Sequence, residues 1–280
     1  METTKRCWVT GAAGLIGHAA AHAVPLPPGW AAVPLARGDL ELADGPAVAA
    51  RFRADRPDAI LHCAAMSRSP DCQRDPVLAR SWNVEATRRL AGLAADIPFA
   101  LLSTDLVFDG KKGNYREDDA VGPLSVYAET KVEAEAAVRQ NPRHLVVRTS
   151  LNHGHSPTGN RGFNEEILAA WRAGRSLRLF ADEFRNPIAA VVTARAVWEL
   201  LARGASGIVH VAGTEKLSRW EIGMALAARH PEGRGLVEAG RLSEYQGAPR
   251  APDTTLDCTR ARAWLGFPLP GYREWLAGNP

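Results

Sequence analysis

Neither sign of charge dominates this chain: 34 Lys and Arg stand against 31 Asp and Glu in 280 residues, a formal net charge of +3, and no run of like charges stands out. A nucleic-acid or membrane partner is therefore not expected. There is no run of about eighteen apolar residues of the kind a membrane span needs, and no apolar signal-peptide core ahead of the first predicted strand. Cysteine is scarce. Cys7, Cys63, Cys72 and Cys258 form no C-x-x-C pair of the zinc-binding type, and Cys7 and Cys63 fall in predicted buried strands, so reduced thiols in a cytoplasmic protein are expected. Internal repeats and low-complexity tracts are missing too. What is present, 46% hydrophobic residues, suffices for one substantial core and a smaller second lobe.

The stretch Cys7-Trp8-Val9-Thr10-Gly11-Ala12-Ala13-Gly14-Leu15-Ile16-Gly17 reads as a strand running into a glycine-rich turn and a helix. Gly11 permits the tight turn, Gly14 lets the backbone come close to a pyrophosphate, and Gly17 lets the helix lie against the strand. The helix N-terminus supplies donors and partial positive charge. The expected occupant is a dinucleotide, cradled by Gly11, Ala13, Gly14, Leu15, Ile16 and Gly17. The spacing T-G-x-x-G-x-x-G resembles that of the extended short-chain dehydrogenase/reductases.

Trp30 to Leu35 reads as the second strand. In a nicotinamide-binding fold an acidic residue at the end of this strand holds the ribose 2′-hydroxyl, whereas an arginine accepts a 2′-phosphate. This chain has Arg37, so NADP(H) is preferred over NAD(H). The family resemblance places Asp39 and Leu40 beside the adenine. A helix around Pro46 to Arg53 leads to the strand Asp58 to Cys63, and the small residues of Cys63-Ala64-Ala65 let the backbone approach the cofactor. His62 has no companions at ligand spacing and reads as a structural histidine. Asn83 matches an Asn-Val pair of the family and reads either as support for a proton network or as a cross-link to a neighbouring strand.

Phe99-Ala100-Leu101-Leu102-Ser103 has the unbroken apolar character of a central parallel strand covered on both faces. In open α/β sheets the ligand crevice lies beyond the carboxyl ends of the strands, where Ser103-Thr104-Asp105 is delivered. Downstream, Tyr127 and Lys131 are four residues apart, which puts both on one face of a helix. Hydride transfer to a carbonyl leaves negative charge on oxygen, so a proton donor is needed there. Tyrosine is a weak acid, with a free pKa near 10. An ammonium about 5 Å away stabilises its phenolate by roughly 3 kcal/mol at an effective dielectric of 20, or about two pKa units. Lys131 is thus expected to lower the Tyr127 pKa and to hold the nicotinamide ribose, while Thr104 fixes the reacting oxygen. The resemblance gives these roles to the family's Ser/Thr, Tyr and Lys, and Ser103 is expected to border the cofactor.

Leu102-Ser103-Thr104-Asp105-Leu106-Val107-Phe108-Asp109-Gly110 is similar to the Ser-Thr-Asp-Tyr-Val-Phe-Asp-Gly signature of the dTDP-4-dehydrorhamnose reductase branch. Pro123 to Tyr127, Val146 to Ser150 and the tail from Leu256 to Phe267 match that branch too. The dehydratase glutamate does not follow Thr104-Asp105. Asp182-Glu183-Phe184-Arg185-Asn186-Pro187-Ile188 departs from the branch's usual Asp-Gln-x-Gly-x-Pro-Thr in a region that shapes the substrate side. The resemblance implies a doubly wound α/β parallel sheet over residues 1–150 with a returning segment at about 187–212, and a small substrate lobe from 151–186 and 213–280. It implies reduction of a keto-sugar nucleotide touching Thr104, Asp105, Tyr127 and Arg185, and a homodimer is common in the family. A 4-epimerase and a non-catalytic cofactor-binding subunit like that of methionine adenosyltransferase are the alternatives. No metal is expected: His153 and His155 lack a third ligand. Arg161, Arg172 and Arg175 are candidates for a diphosphate clamp.

Overall fold

The computed structural model describes residues 4–279. Six parallel strands form the central sheet: β1 (Lys5–Thr10), β2 (Trp30–Leu35), β3 (Ala59–His62), β4 (Phe99–Thr104), β5 (Leu145–Thr149) and β6 (Gly207–Val211). Their spatial order is β2-β1-β3-β4-β5-β6. The order reverses between β1 and β3, the switch point at which such sheets open a crevice. Register keeps the carboxyl ends level there, with Thr10 opposite both Leu35 and His62, and Thr104 opposite Thr149.

The inner strands are largely apolar on both faces because both faces are covered. Cys7, Val9, Ala100, Leu102, Leu145, Val147, Val209 and Val211 point into one core with the helix Ala190–Ala202. The intervening Trp8, Ile60, Phe99, Leu101, Val146 and Ile208 point into the other, which is roofed by helices Gly45–Asp55, Ala86–Leu93 and Val126–Val138. The alternation of the strand thus sorts one unbroken apolar run into two layers. We call the helices that shape the site α1 (Leu15–His18, continued by a π-turn over Ala19–Ala23) and α2 (Val126–Val138).

A third, smaller core gathers Phe163, Ile167, Leu168 and Trp171 with Leu217, Ile222, Leu226 and Tyr272. The tail does not stay with it. Leu256, Cys258, Ala261, Leu265 and Leu269 pack into the core of the main sheet, so the stretch 213–280 serves both cores. The returning segment expected at about 187–212 opens with Ile188–Ala189, a short parallel strand paired with Asn152–His153, and its helix begins at Ala190.

Candidate active site

A cavity of about 750 Å³ opens at the switch point. Its wall begins with the glycine turn. Gly11 has φ of 70°, and a Cβ on it would stand 2.7 Å from the Ala64 nitrogen. At Gly17 a Cβ would meet the Gly11 carbonyl oxygen at 2.2 Å, so the helix packs against the turn itself rather than against the strand. Gly14 meets only that same oxygen, at 3.1 Å, and its N–H donates to it at 2.8 Å. This close approach of bare backbone at a helix N-terminus fits a pyrophosphate. Gly17→Ala is therefore expected to cost about 1–3 kcal/mol through overpacking and to weaken dinucleotide binding at least tenfold, about 1.4 kcal/mol. A thermal melt and a fluorescence titration check both effects, and unchanged binding would contradict the cradle.

Of the residues expected at the cofactor, Gly11, Ala13, Gly14, Leu15, Ile16, Gly17, Arg37, Leu40, Cys63, Ala64, Ala65, Ser103, Tyr127 and Lys131 all line the cavity. One expectation needs correction. Asp39 is not in the wall, because its carboxylate accepts the Ala36 N–H at 2.8 Å and shapes the turn after β2. Ser103 lines the cavity while its hydroxyl donates to Glu135 at 2.5 Å. The Arg37 guanidinium lies 4.1 Å over the Trp82 ring and pairs with Glu41 at 2.9 Å. His62 is spent structurally, between Thr10 Oγ1 at 2.7 Å and Thr87 Oγ1 at 3.0 Å. Asn83 cross-links not a strand but the loop after β3 to α2, pinning both the N–H and the carbonyl of Met66 and reaching Thr130.

At the far side of the crevice, Ser125 caps α2 by accepting the Ala128 N–H, which sets Tyr127 in the first turn and Lys131 one turn later. Thr104, Tyr127 and Lys131 all face the cavity. Lys131 is 2% exposed and its Nζ donates to the Leu102 carbonyl at 2.7 Å. Burial lowers its pKa to about 8, against the pull of Glu135. The expected lowering of the Tyr127 pKa by Lys131 is not what the electrostatics give. Burial pushes the phenol above its ordinary value, the Asp105 charge adds to that, and a hydrogen bond with Thr104 works the other way. One Lys131 donor goes to the Leu102 carbonyl, and the charge that the phenol feels most is the Asp105 carboxylate.

Asp105 and Arg185 are also corrected in part. Both line the cavity, but Asp105 accepts hydroxyls from Ser150 at 2.9 Å and Thr254 at 2.7 Å and pairs with Arg185 at 3.5 Å. Arg185 is further held by Glu183 at 2.9 Å and by the carbonyls of Phe184 and Ala251. Most of its donors are engaged within the protein, so it braces the wall. The basic residues that reach the cavity are Arg68, Arg161, Arg219 and Arg250 besides Arg37 and Arg185. Arg172 and Arg175 are not in its wall, and Arg172 pairs with Glu232. Arg250 is bidentate to Glu183, at 2.7 and 2.8 Å, and stands over the rings of Phe180 and Tyr245. The Arg219 guanidinium lies 5.5 Å over the Phe163 ring; burial lowers its pKa only to about 10, so it stays charged at neutral pH. Sequence reasoning missed Arg219. The signal available was the Ser218-x-x-Glu221 capping box, which fixes a helix start and so places Arg219 at its first residue.

His153 is buried among the rings of Phe163, Tyr272 and Trp275, and its pKa falls to about 4 through burial, whereas His155 is exposed. Among the described residues no group of three His, Cys, Asp or Glu is placed to hold a metal ion, and no helix is long and apolar enough to cross a membrane.

Comparison with known proteins adds the following. Residues 5–278 match the family described as RmlD substrate binding domain. A dTDP-4-dehydrorhamnose reductase of Sinorhizobium fredii is 30% identical over 255 residues, covering 86% of this chain and 85% of its own. The methionine adenosyltransferase 2 subunit beta of Xenopus laevis is 30% identical over 292 residues, covering 98% and 87%. Among solved structures, a dTDP-4-dehydrorhamnose reductase of Bacillus anthracis in complex with NADP superposes with a TM-score of 0.89 at 21% identity, covering 99% and 98% of the two chains.

Proposed function

The chain belongs to the RmlD substrate binding domain family, in the reductase-like branch of the extended short-chain dehydrogenase/reductases, and is an NAD(P)-dependent oxidoreductase of that type; on that premise we propose that it uses NADPH to reduce the ketone of a nucleotide-linked keto-sugar. The observation that carries this reading is the convergence of Thr104, Tyr127 and Lys131 on one cavity that also contains the glycine turn.

The nicotinamide, when bound, supplies the hydride. Tyr127 gives its phenolic proton to the carbonyl oxygen as negative charge builds there, and its raised pKa keeps that proton in place at neutral pH. The Thr104 hydroxyl orients the same oxygen. Lys131 holds the ribose hydroxyls of the cofactor. Gly11, Ala13, Gly14, Leu15, Ile16 and Gly17 hold the pyrophosphate, and Leu40, Cys63, Ala64 and Ala65 border the adenosine half. On the substrate side, Arg219 and Arg161 take the diphosphate. The neighbouring Arg250–Glu183 and Arg185–Asp105 pairs offset their own charge, and Arg219 and Arg161 add positive field beside them.

Preference for NADPH rests on Arg37, which lies 4.1 Å over the Trp82 ring. Arg37→Ala is expected to weaken NADPH binding about ten- to a hundredfold, the worth of a charge-assisted contact of 1.5–3 kcal/mol, and to leave NADH within about twofold. Equal losses for the two cofactors in paired titrations would rule out a 2′-phosphate contact.

The function is tested by following NADPH oxidation against a panel of nucleotide-linked 4-keto sugars. Stoichiometric consumption with one of them supports a reductase; sugar interconversion without net consumption indicates a 4-epimerase. The likeness to methionine adenosyltransferase 2 subunit beta favours, as a second reading, a subunit that binds the cofactor without turning it over. Tight NADPH binding with no consumption across the panel would support it.

A further inference from the structure

Beneath the floor of the cavity lies a buried charged cluster to which the chemistry above assigns no part. Glu135, 3% exposed, accepts the Ser103 hydroxyl at 2.5 Å. Arg148 on β5, 2% exposed, grips the same carboxylate with Nη2 at 2.7 Å and Nε at 3.0 and 3.2 Å. Beyond it, Arg148 Nη1 lies 3.5 Å from His210 Nε2. Burying such a pair is often no better for stability than apolar packing of the same volume, so its place here calls for another reason.

Position supplies one. Glu135 follows Lys131 by one helical turn, so the two side chains share a face of α2. Their anchors on β4 are consecutive residues: Lys131 Nζ donates to the Leu102 carbonyl, and the Ser103 hydroxyl goes to Glu135. The next residue of that strand is Thr104. We infer that Glu135 is a positioning residue for the reaction: with Ser103 and Arg148 it clamps α2 to the end of β4, and its carboxylate keeps the Lys131 side chain charged where it meets the cofactor. The inference rests on the reading that Lys131 binds the cofactor.

The groups that act on Lys131 are few. Glu135 reaches it from its own helix and Cys63 from the loop after β3, while His62 of β3 feels the ammonium in return. Burial lowers His62 to about 3 and pushes Cys63 up to about 12, so both are neutral at working pH. The Tyr127 phenol is neutral as well. That leaves Glu135 as the one ionised partner favouring the ammonium among the groups acting on it, and an opposite charge at this range moves a pKa by about one to three units.

The test is NADPH binding as a function of pH, followed by quenching of tryptophan fluorescence. Wild type is expected to lose affinity with a midpoint near the Lys131 value of about 8. Glu135→Gln is expected to move that midpoint down to about 6.5, which makes binding about eightfold weaker at pH 7.5 and restores it to the wild-type level near pH 5.5. A purely structural defect would weaken binding by the same factor at every pH. Glu135→Gln leaves Arg148 without its partner, so the double variant Glu135→Met/Arg148→Met, which keeps the core filled, is measured alongside and is expected to show an acid shift in the same direction, smaller because the opposing Arg148 charge goes with it. A wild-type midpoint in the double variant overturns the inference. Lys131→Met at pH 6.5 separates the two layers: if it binds NADPH as tightly as wild type, the reading of Lys131 fails; if it binds weakly while the midpoints coincide, only the role of Glu135 fails.

Discussion

Tyr127→Phe is expected to lower kcat for the nucleotide keto-sugar found in the panel by about a hundredfold to ten-thousandfold, the usual worth of a positioned proton donor, with the NADPH dissociation constant within about twofold of wild type. Phenylalanine keeps the ring that borders the cavity and removes only the hydroxyl. The Ser125 cap that starts α2 is untouched, so Lys131 stays on the Leu102 carbonyl. The pH dependence adds a second check. Because burial and Asp105 hold the phenol above its ordinary value, the proton to be donated is present throughout the neutral range, and no loss of rate is expected from Tyr127 until above about pH 10. Lys131 titrates first, near 8. The alkaline limb of wild type is therefore expected near pH 8, and the residual activity of Tyr127→Phe should fall at the same pH. Retention of more than about a tenth of wild-type kcat in Tyr127→Phe would remove the phenol from the chemistry.

Arg148→Met is expected to destabilise the fold by about 3–5 kcal/mol, the cost of leaving a buried charge without its partner. Glu135 cannot turn to water, since it is 3% exposed and hemmed in by β4 and β5. The alternative, taking up a proton, forfeits the carboxylate's own contribution to Lys131. Arg148 also lies 5.0 Å over the Phe108 ring, a contact that methionine replaces only in part. For a chain of this size the melting temperature should drop by about 10 °C, read by circular dichroism. The double variant Glu135→Met/Arg148→Met should recover most of that loss, because removing both charges leaves nothing unpaired. A single variant that melts within about two degrees of wild type would mean that water reaches the pair.

Legibility varied residue by residue for reasons that can be named. The glycine turn could be read because its demands are local: a left-handed backbone at Gly11, and no room for a Cβ at Gly17 beside the Gly11 carbonyl. The pairing of Tyr127 with Lys131 could be read because helical spacing fixes which residues share a face. Asp39 failed because a short acidic side chain in a turn satisfies the nearest backbone N–H, here that of Ala36. The hydrogen-bond partners of Ser103 and Arg185 and the electrostatics of Tyr127 could not be read, for a different reason. Their partners, Glu135, Asp105 with Glu183, and Asp105 again, arrive from other elements, and nothing in a linear pattern says which carboxylate a given donor will meet.

The sequence alone therefore determined the sheet, the cradle and the pair of residues four apart, because strand alternation, backbone conformation and helical period act over a few residues. Tertiary structure alone decided which polar groups remain available for chemistry. Burial makes each charge seek a partner, and the partner is whichever group the packing of distant elements brings within reach: Arg148 for Glu135 and Arg185 for Asp105, with Arg219 left lining the cavity.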